Sequence, residues 1–101
     1  MAYFLALTVE VHFPENGSLK GKRKELLSLK AALARRFGAA VAEVEHQELW
    51  QRSTLALGLV GSSARELARS GAALERWLDA RFPQGVRVEQ RLVSFEDLGE
   101  I

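Results

Sequence analysis

The chain has 101 residues, of which 48% are hydrophobic and 27% are charged. This length and apolar content predict one domain, residues 1–101, and exclude a disordered chain. The 14 basic and 13 acidic residues nearly cancel, so the net charge of +1 identifies no partner, and any electrostatic function must come from a local cluster. Cys is absent, which excludes disulfides, thiol chemistry and Cys-based zinc sites.

The same sequence gives expectations about location. No apolar run approaches the ~20 residues that span a bilayer. The N-terminus lacks the basic flank and the small-residue cleavage site of a signal peptide. We therefore expect a cytoplasmic protein with no membrane partner. Arg outnumbers Lys, and Met and Asn are scarce, which favours a thermophile or a GC-rich genome.

The first half of the chain predicts a strand and a helix. Apolar residues occupy every second position over residues 3–13, as in a strand with one buried face. Turn residues follow, and Ser18 then predicts the N-cap of a helix that runs to Phe37 and is capped by Gly38. Lys22 falls on the apolar stripe of this helix. It must either extend to solvent at the helix end or meet a carboxylate.

The second half predicts a hairpin, a helix and a strand. Residues 39–45 and 53–61 alternate as two strands, joined through a polar turn. Ser63 and Glu66 fit a capping box for a helix to about Arg81, with Gly71 inside its apolar stripe at a close packing contact. A last strand covers residues 86–95. Its alternation slips between Val88 and Val93, which predicts a β-bulge there.

The element order βαββαβ predicts an α+β fold, a ferredoxin-like sandwich. Its antiparallel four-stranded sheet has the order 4-1-3-2, with both helices on one face. The other face carries small, largely apolar residues, namely Phe4, Ala6, Thr8, Thr54, Ala56, Gly58 and Val60. Such a face favours a homo-oligomer, with a dimer preferred, through this face or a sheet edge. The alternative is an exposed face of ordinary apolar character.

This fold gathers polar residues at one corner. The antiparallel pairing of strands 1 and 3 places Glu10 and His12 near Arg52 and Thr54, and the hairpin turn and the start of helix 1 join them. The predicted binding surface consists of Lys20, Lys22, Arg23, Lys24, His46, Gln47, Trp50 and Arg52. Four cations at a helix N-terminus oppose the macrodipole, at about 0.3–1 kcal/mol each, which suggests that they hold phosphates. The alternative is a solvated basic face balanced by Glu43, Glu45 and Glu48.

No catalytic, cofactor or metal site is predicted. Strand 3 lacks the aromatic residues of an RNA-recognition motif, and the loop after strand 1 lacks the Arg of an acylphosphatase. Two His residues, His12 and His46, could join a glutamate around a divalent metal, although their spacing carries no metal signature. Trp50 is predicted to pack as an anchor that fixes the hairpin against helix 1 or a partner subunit. A role in ligand stacking is the alternative.

Two segments carry a family resemblance. SLKGKR at residues 18–23 and VAEVEHQELWQR at residues 41–52 resemble the YlxP-like family of small bacterial proteins of unknown function. The chain departs from that family at Gly21, where an acidic residue is more common. The resemblance implies a compact α+β domain of the bacterial cytoplasm, and genes beside those for translation and ribosome maturation suggest a role linked to RNA or the ribosome. It brings no catalytic residues.

Two functional hypotheses follow. The first is a non-enzymatic binding module for RNA or the ribosome, in which the basic helix start contacts phosphates and the hairpin shapes the adjacent surface. The second is a homo-oligomeric structural or regulatory protein that assembles through the hairpin and the open sheet face. A small enzyme or metal protein is the third and weakest. If Lys22 were buried against Glu43 or Glu45, the motif would be largely architectural.

Overall fold

Over residues 1–98, the computed structural model shows four strands and two helices in the predicted order. The elements are β1 (Tyr3–His12), α1 (Leu19–Phe37), β2 (Ala40–Glu45), β3 (Arg52–Gly61), α2 (Ala64–Arg81) and β4 (Val86–Ser94), and a short 3-10 turn (Phe95–Leu98) follows. The strands form one antiparallel sheet in the order β2-β3-β1-β4. This is the predicted α+β ferredoxin-like arrangement.

The core lies between one face of the sheet and the two helices. Alternate residues of the central strands point into it, because successive strand side chains face opposite ways, while the helices contribute residues spaced three or four apart. The core side chains from these elements are Leu5, Leu7, Val9, Val11, Leu55, Leu57, Leu59, Leu26, Leu29, Leu33, Leu67, Leu74 and Leu78. Each is at most 6% exposed, and burying one such side chain contributes about 1.5–3 kcal/mol.

Local signals set the helix ends as predicted. Ser18 Oγ accepts a hydrogen bond from the Gly21 N–H at 3.0 Å, and Ser63 Oγ accepts one from the Glu66 N–H at 3.2 Å. Gly38 ends α1 in the left-handed region with φ of 68° and donates its N–H to the Ala34 carbonyl at 3.0 Å. These contacts satisfy backbone groups that a helix end leaves without partners.

The predicted bulge in β4 is wrong. The register between β1 and β4 is unbroken from Tyr3 opposite Ser94 to Val11 opposite Val86. Gln90 takes the inward position, where its amide donates to the Gly71 carbonyl at 3.2 Å and to Glu75 Oε1 at 2.9 Å. A polar side chain with partners thus interrupts the apolar alternation without changing the backbone.

The register shift of this sheet lies in β2 instead. Glu43 stands opposite Leu55, whereas Glu45 stands opposite Thr54, so Val44 is an extra residue. A bulge of this kind redirects the side chains that follow it. Here Glu45, after the bulge, is exposed, whereas Glu43, before it and opposite the buried Leu55, faces the helix side of the sheet next to the start of α1.

The sheet face away from the helices carries an apolar row. Phe4 of β1 lies between Val60 of β3 and Val93 of β4, and Val60 is 67% exposed. Smaller residues continue this face toward β2, namely Ala6, Gly58, Ala40, Ala56 and Ala42. No helix within residues 1–98 is long and apolar enough to cross a membrane.

Candidate functional site

One end of the sheet brings together the residues singled out by the sequence. His12 at the end of β1 stands opposite Arg52 at the start of β3, so the segments beyond these residues are neighbours. We call this region the corner. It comprises the loop at residues 13–18, the first two turns of α1 and the hairpin turn at residues 46–51. The Glu10 and Arg52 side chains also meet here, with a 3.5 Å ion pair, as the predicted pairing requires.

Amide side chains clamp the hairpin turn to the loop. The Asn16 amide donates to the Ser18 and Trp50 carbonyls, each at 2.6 Å. The Gln51 amide donates to the Pro14 and Asn16 carbonyls, each at 3.2 Å. A backbone bond from the Phe13 N–H to the Gln51 carbonyl at 2.9 Å completes the connection. The turn is therefore held by several hydrogen bonds to a loop more than thirty residues away in sequence.

Gly21 is part of this clamp. A Cβ added at this position would overlap the side-chain oxygen of Asn16. The absence of a side chain at Gly21 therefore lets the Asn16 amide lie against the first turn of α1 and reach Trp50.

Lys22 lies inside the protein. It is 1% exposed, its ammonium lies 3.1 Å from Glu43 Oε2, and it donates to the His46 carbonyl at 2.5 Å. Glu43 Oε2 also accepts from Ser53 Oγ at 2.5 Å. Of the two alternatives predicted for Lys22, extension to solvent or contact with a carboxylate, the structure shows the second. The prediction that Lys22 contacts phosphates is wrong, because its position one helical turn before Leu26 directs it toward the core.

His46 serves the same internal network. Its φ of 64° is in the left-handed region, which turns its carbonyl toward Lys22 while its ring nitrogen Nδ1 lies 2.8 Å from Thr54 Oγ1. A non-glycine residue there costs roughly 1–3 kcal/mol, which the surrounding contacts must offset. Within residues 1–98, no three His, Asp or Glu side chains are grouped so as to hold a metal.

Three of the four cations at the helix start remain on the surface. Lys20, Arg23 and Lys24 are exposed, and none of them has an acidic partner within 4.0 Å in the part of the chain described. The first turn of α1 contains no acidic residue either. Lys24 lines a groove of about 700 Å³ whose buried walls include Phe13 and Phe82 in edge-to-face contact.

The hairpin turn forms a second concavity, the hairpin cleft. It has a volume of about 660 Å³ and is lined by His12, Glu48, Leu49, Trp50, Gln51 and Arg52. Trp50 is 53% exposed, so its ring is not a core packing anchor. Its carbonyl, bound by Asn16, anchors the hairpin instead. Gln47 is exposed on the same turn.

Several residues of the corner carried little signal in the sequence. Asn16 and Gln51 look like ordinary loop residues, and Ser53 like an ordinary strand residue. A signal for Asn16 existed in its place in the turn before Gly17 and Ser18, where Asn side chains commonly bond the backbone. Its bond to Trp50 spans 34 residues, and no local pattern predicts a contact of that separation.

Comparison with known proteins places the chain in a family. A designed protein, "De novo designed protein Foldit4", superposes with a TM-score of 0.55 at 12% identity, over 93% of this chain and 98% of that one. This likeness concerns the fold alone. No curated protein is significantly similar to the chain. The family model described as protein of unknown function, DUF503, matches residues 4–91, and the chain belongs to this family.

Proposed function

We propose that this DUF503 chain is a non-enzymatic, single-domain binding module of the bacterial cytoplasm that binds RNA at the corner. The observation that supports the proposal most is the separation of the four cations. Lys22 pairs with Glu43 inside the protein, whereas Lys20, Arg23 and Lys24 stay exposed without acidic partners within residues 1–98.

The electrostatics of the helix start favour an anionic ligand. The N-terminus of α1 already carries a partial positive charge, so each exposed cation there opposes the helix dipole by about 0.3–1 kcal/mol. Glu43, one of the three glutamates expected to balance them, is bonded instead to Lys22 and Ser53. A phosphate backbone would relieve this repulsion and supply contacts to several cations at once.

The resemblance to the YlxP-like family supports RNA or the ribosome as the source of the phosphates. The motif residues Lys20 and Arg23, and the hairpin residues Gln47, Trp50 and Arg52, are exposed at this end of the sheet. His46 and Lys22 lie beneath them as the supporting network. Within the predicted binding surface, contact with phosphates is therefore proposed for the exposed residues alone.

The test compares two triple variants that remove the same number of positive charges. Lys20→Ala, Arg23→Ala and Lys24→Ala remove the helix-start cations, while Arg65→Ala, Arg69→Ala and Arg76→Ala remove exposed cations of α2. Affinity for a labelled single-stranded RNA is measured by fluorescence polarisation across a salt series. We expect the first triple to weaken binding and to flatten the salt slope by about 0.7 for each lost phosphate contact.

The matched α2 triple is expected to bind nearly as tightly as the unmodified protein. Absence of binding at low salt would reject the RNA proposal. So would an equal loss of affinity in both triples, since this would reflect total charge rather than the corner. Circular dichroism melting of each variant establishes that the fold is retained.

A second candidate function is homo-oligomeric assembly, a structural or regulatory role. The apolar row of Phe4, Val60 and Val93, with small residues beside it, is open on the face away from the helices. An exposed apolar surface of this kind is typical of interfaces. Sedimentation at micromolar concentration should give the mass of a dimer, and Val60→Asp should convert it to a monomer. A monomeric mass for the unmodified protein would reject this candidate.

A further inference from the structure

We propose that the hairpin cleft binds an unpaired nucleotide, with its base stacked on Trp50 and its phosphate at Arg52. This inference deepens the RNA proposal and rests on it for the source of the nucleotide. The same chemistry could come from a free nucleotide, and the experiment below separates these two sources.

The first argument is the contrast between the two Trp residues. Trp77 lies in edge contact with Phe37 at 5.9 Å, and the guanidinium groups of Arg36 and Arg81 stand over its ring at 5.7 and 5.2 Å. Trp50 is 53% exposed and has no aromatic or cationic partner over its ring within residues 1–98. Trp77 is therefore used by the fold, and the ring of Trp50 is available to a ligand.

The second argument is rigidity. The carbonyl of Trp50 is held by Asn16 at 2.6 Å, and the next residue, Gln51, is bonded through both its side chain and its carbonyl. An exposed aromatic residue on a mobile loop would lose entropy on binding. One whose backbone is already fixed avoids most of that cost. The backbone around the cleft is thus already ordered before a flat ligand binds.

The third argument is the chemistry of the lining. The Trp50 ring and Leu49, which is 44% exposed, supply an apolar surface for a base. His12 and Arg52 stand opposite each other on β1 and β3 and can donate to a phosphate. Arg52 is 44% exposed and its 3.5 Å pair with Glu10 orients it without burying it. The Glu48 carboxylate can accept a hydrogen bond from an exocyclic amine.

The combination favours a nucleotide whose base is unpaired. A base can stack on an aromatic side chain only when it has left its own helical stack, and this stacking is sequence-tolerant. The cleft volume of about 660 Å³ is that of a small-molecule site. The exposed cations of α1 would hold the phosphates of the continuing strand.

The experiment uses Trp50 as its own reporter. In a Trp77→Phe protein, residue 50 is the remaining Trp, and its fluorescence is titrated with a nucleoside monophosphate, a short single-stranded RNA and a duplex of the same sequence. We expect strong quenching by the single strand and little by the duplex. If Trp77→Phe disturbs the fold, the difference in fluorescence between the unmodified protein and Trp50→Ala gives the same signal.

Affinities measured by polarisation complete the test. Trp50→Ala should weaken single-strand binding by about 5- to 150-fold, the range of one lost base–aromatic stack, and Trp50→Phe should restore most of it. Duplex affinity, carried by the helix-start cations, should not change. Quenching by the monophosphate without RNA affinity would support nucleotide binding in the hairpin cleft. It would identify the ligand as a free nucleotide and reject the RNA proposal.

Other results would overturn the inference. Equal affinity for single-stranded and duplex RNA, with no effect of Trp50→Ala, would leave RNA binding intact and remove the cleft from it. Absence of quenching by all three probes would reject nucleotide binding in the hairpin cleft, whatever the affinity of the α1 cations for RNA. The two proposals therefore fail in distinguishable ways.

Discussion

The ammonium nitrogen of Lys22 lies 3.1 Å from the carboxylate of Glu43, and the Lys22 side chain is 1% exposed. This pair joins the first turn of α1 to β2 across the end of the sheet. It divides a cluster of four cations into one that holds the fold together and three that face solvent. The basic segment is therefore partly architecture and partly surface.

The buried pair leads to a first prediction, on stability. Glu43→Gln removes the countercharge and leaves a buried ammonium uncompensated, so we expect the free energy of unfolding to fall by about 3–5 kcal/mol. Lys22→Met removes the buried cation and should cost less than Glu43→Gln. In the double variant, the loss should be smaller than the sum of the two single losses. Urea denaturation followed by circular dichroism measures all four proteins.

Lys24→Met is the matched control, because Lys24 lies on the exposed side of the same helix. A surface substitution of this kind should change stability by about 0.5 kcal/mol or less. If Glu43→Gln were as mild as this control, the Lys22 ammonium would not depend on Glu43 and the network would need another explanation.

A second prediction concerns the clamp. Asn16→Ala removes two hydrogen bonds to backbone carbonyls, each worth about 0.5–1.5 kcal/mol, so stability should fall by about 1–3 kcal/mol. The hairpin turn should loosen more than the sheet does. Amide hydrogen exchange at Leu49 and Phe13, which donate to His46 and Gln51, should accelerate more than at Val9 in central β1.

Gln84→Ala serves as the control for the clamp. Gln84 is exposed and its amide is 3.5 Å from the His12 carbonyl, too long for a strong bond. Its removal should leave exchange in the turn unchanged. Equal acceleration in both variants would show that Asn16 is not what holds the turn.

A third prediction concerns the contact between α2 and the sheet. At Gly71, an added Cβ would overlap the Gln90 side chain and lie 2.9 Å from Leu5 Cδ2. Gly71→Ala gains about 1 kcal/mol of helix propensity but overpacks the contact by about 1–3 kcal/mol. We expect a net loss of roughly 1 kcal/mol in thermal or urea melts. Gln90→Ala in the same protein should recover part of that loss, and a stabilised Gly71→Ala would refute the close contact.

A fourth prediction isolates backbone strain at the end of α1. Gly38 has φ of 68°, and an added Cβ would meet no atom within 4 Å, so the cost of Gly38→Ala is conformational rather than steric crowding. We expect a loss of about 1–2 kcal/mol. Gly17→Ala, which is equally open and has no positive φ, should be close to neutral. Similar melting temperatures for the two variants would contradict the left-handed cap.

Local signals account for what the sequence predicted well. Ser18, Gly38 and Ser63 mark helix ends through hydrogen bonds to residues three or four positions away, and these bonds form as expected. The strand order follows from the alternation of strands and helices together with connection rules. The helix caps depend on contacts within one turn, and the strand order follows from general rules of chain connection, so neither inference requires knowing which distant side chains meet.

Predictions that depended on distant partners were less successful. The slip between Val88 and Val93 predicts a bulge that does not form, because alternation records polarity and does not reveal that Gly71, nineteen residues from Gln90, accepts a hydrogen bond from its amide. Trp50 is predicted to pack against α1 or a partner subunit; within this chain its ring is exposed, and its carbonyl ties the hairpin to the loop through Asn16. Hydrophobicity predicts which residues prefer burial. It does not determine where the folded core leaves space for a particular side chain.

The sequence by itself determined that a lysine stands on the apolar stripe of α1 and that the strands bring a polar hairpin beside it. The tertiary structure decided which carboxylate meets that lysine. Regular alternation places Glu43 opposite the buried Leu55 and so points it inward, and the bulge that follows sets Glu45 opposite Thr54 and leaves it exposed, because one extra residue reverses the faces of the positions after it. Only the register of β2 against β3 shows which of the two glutamates reaches Lys22.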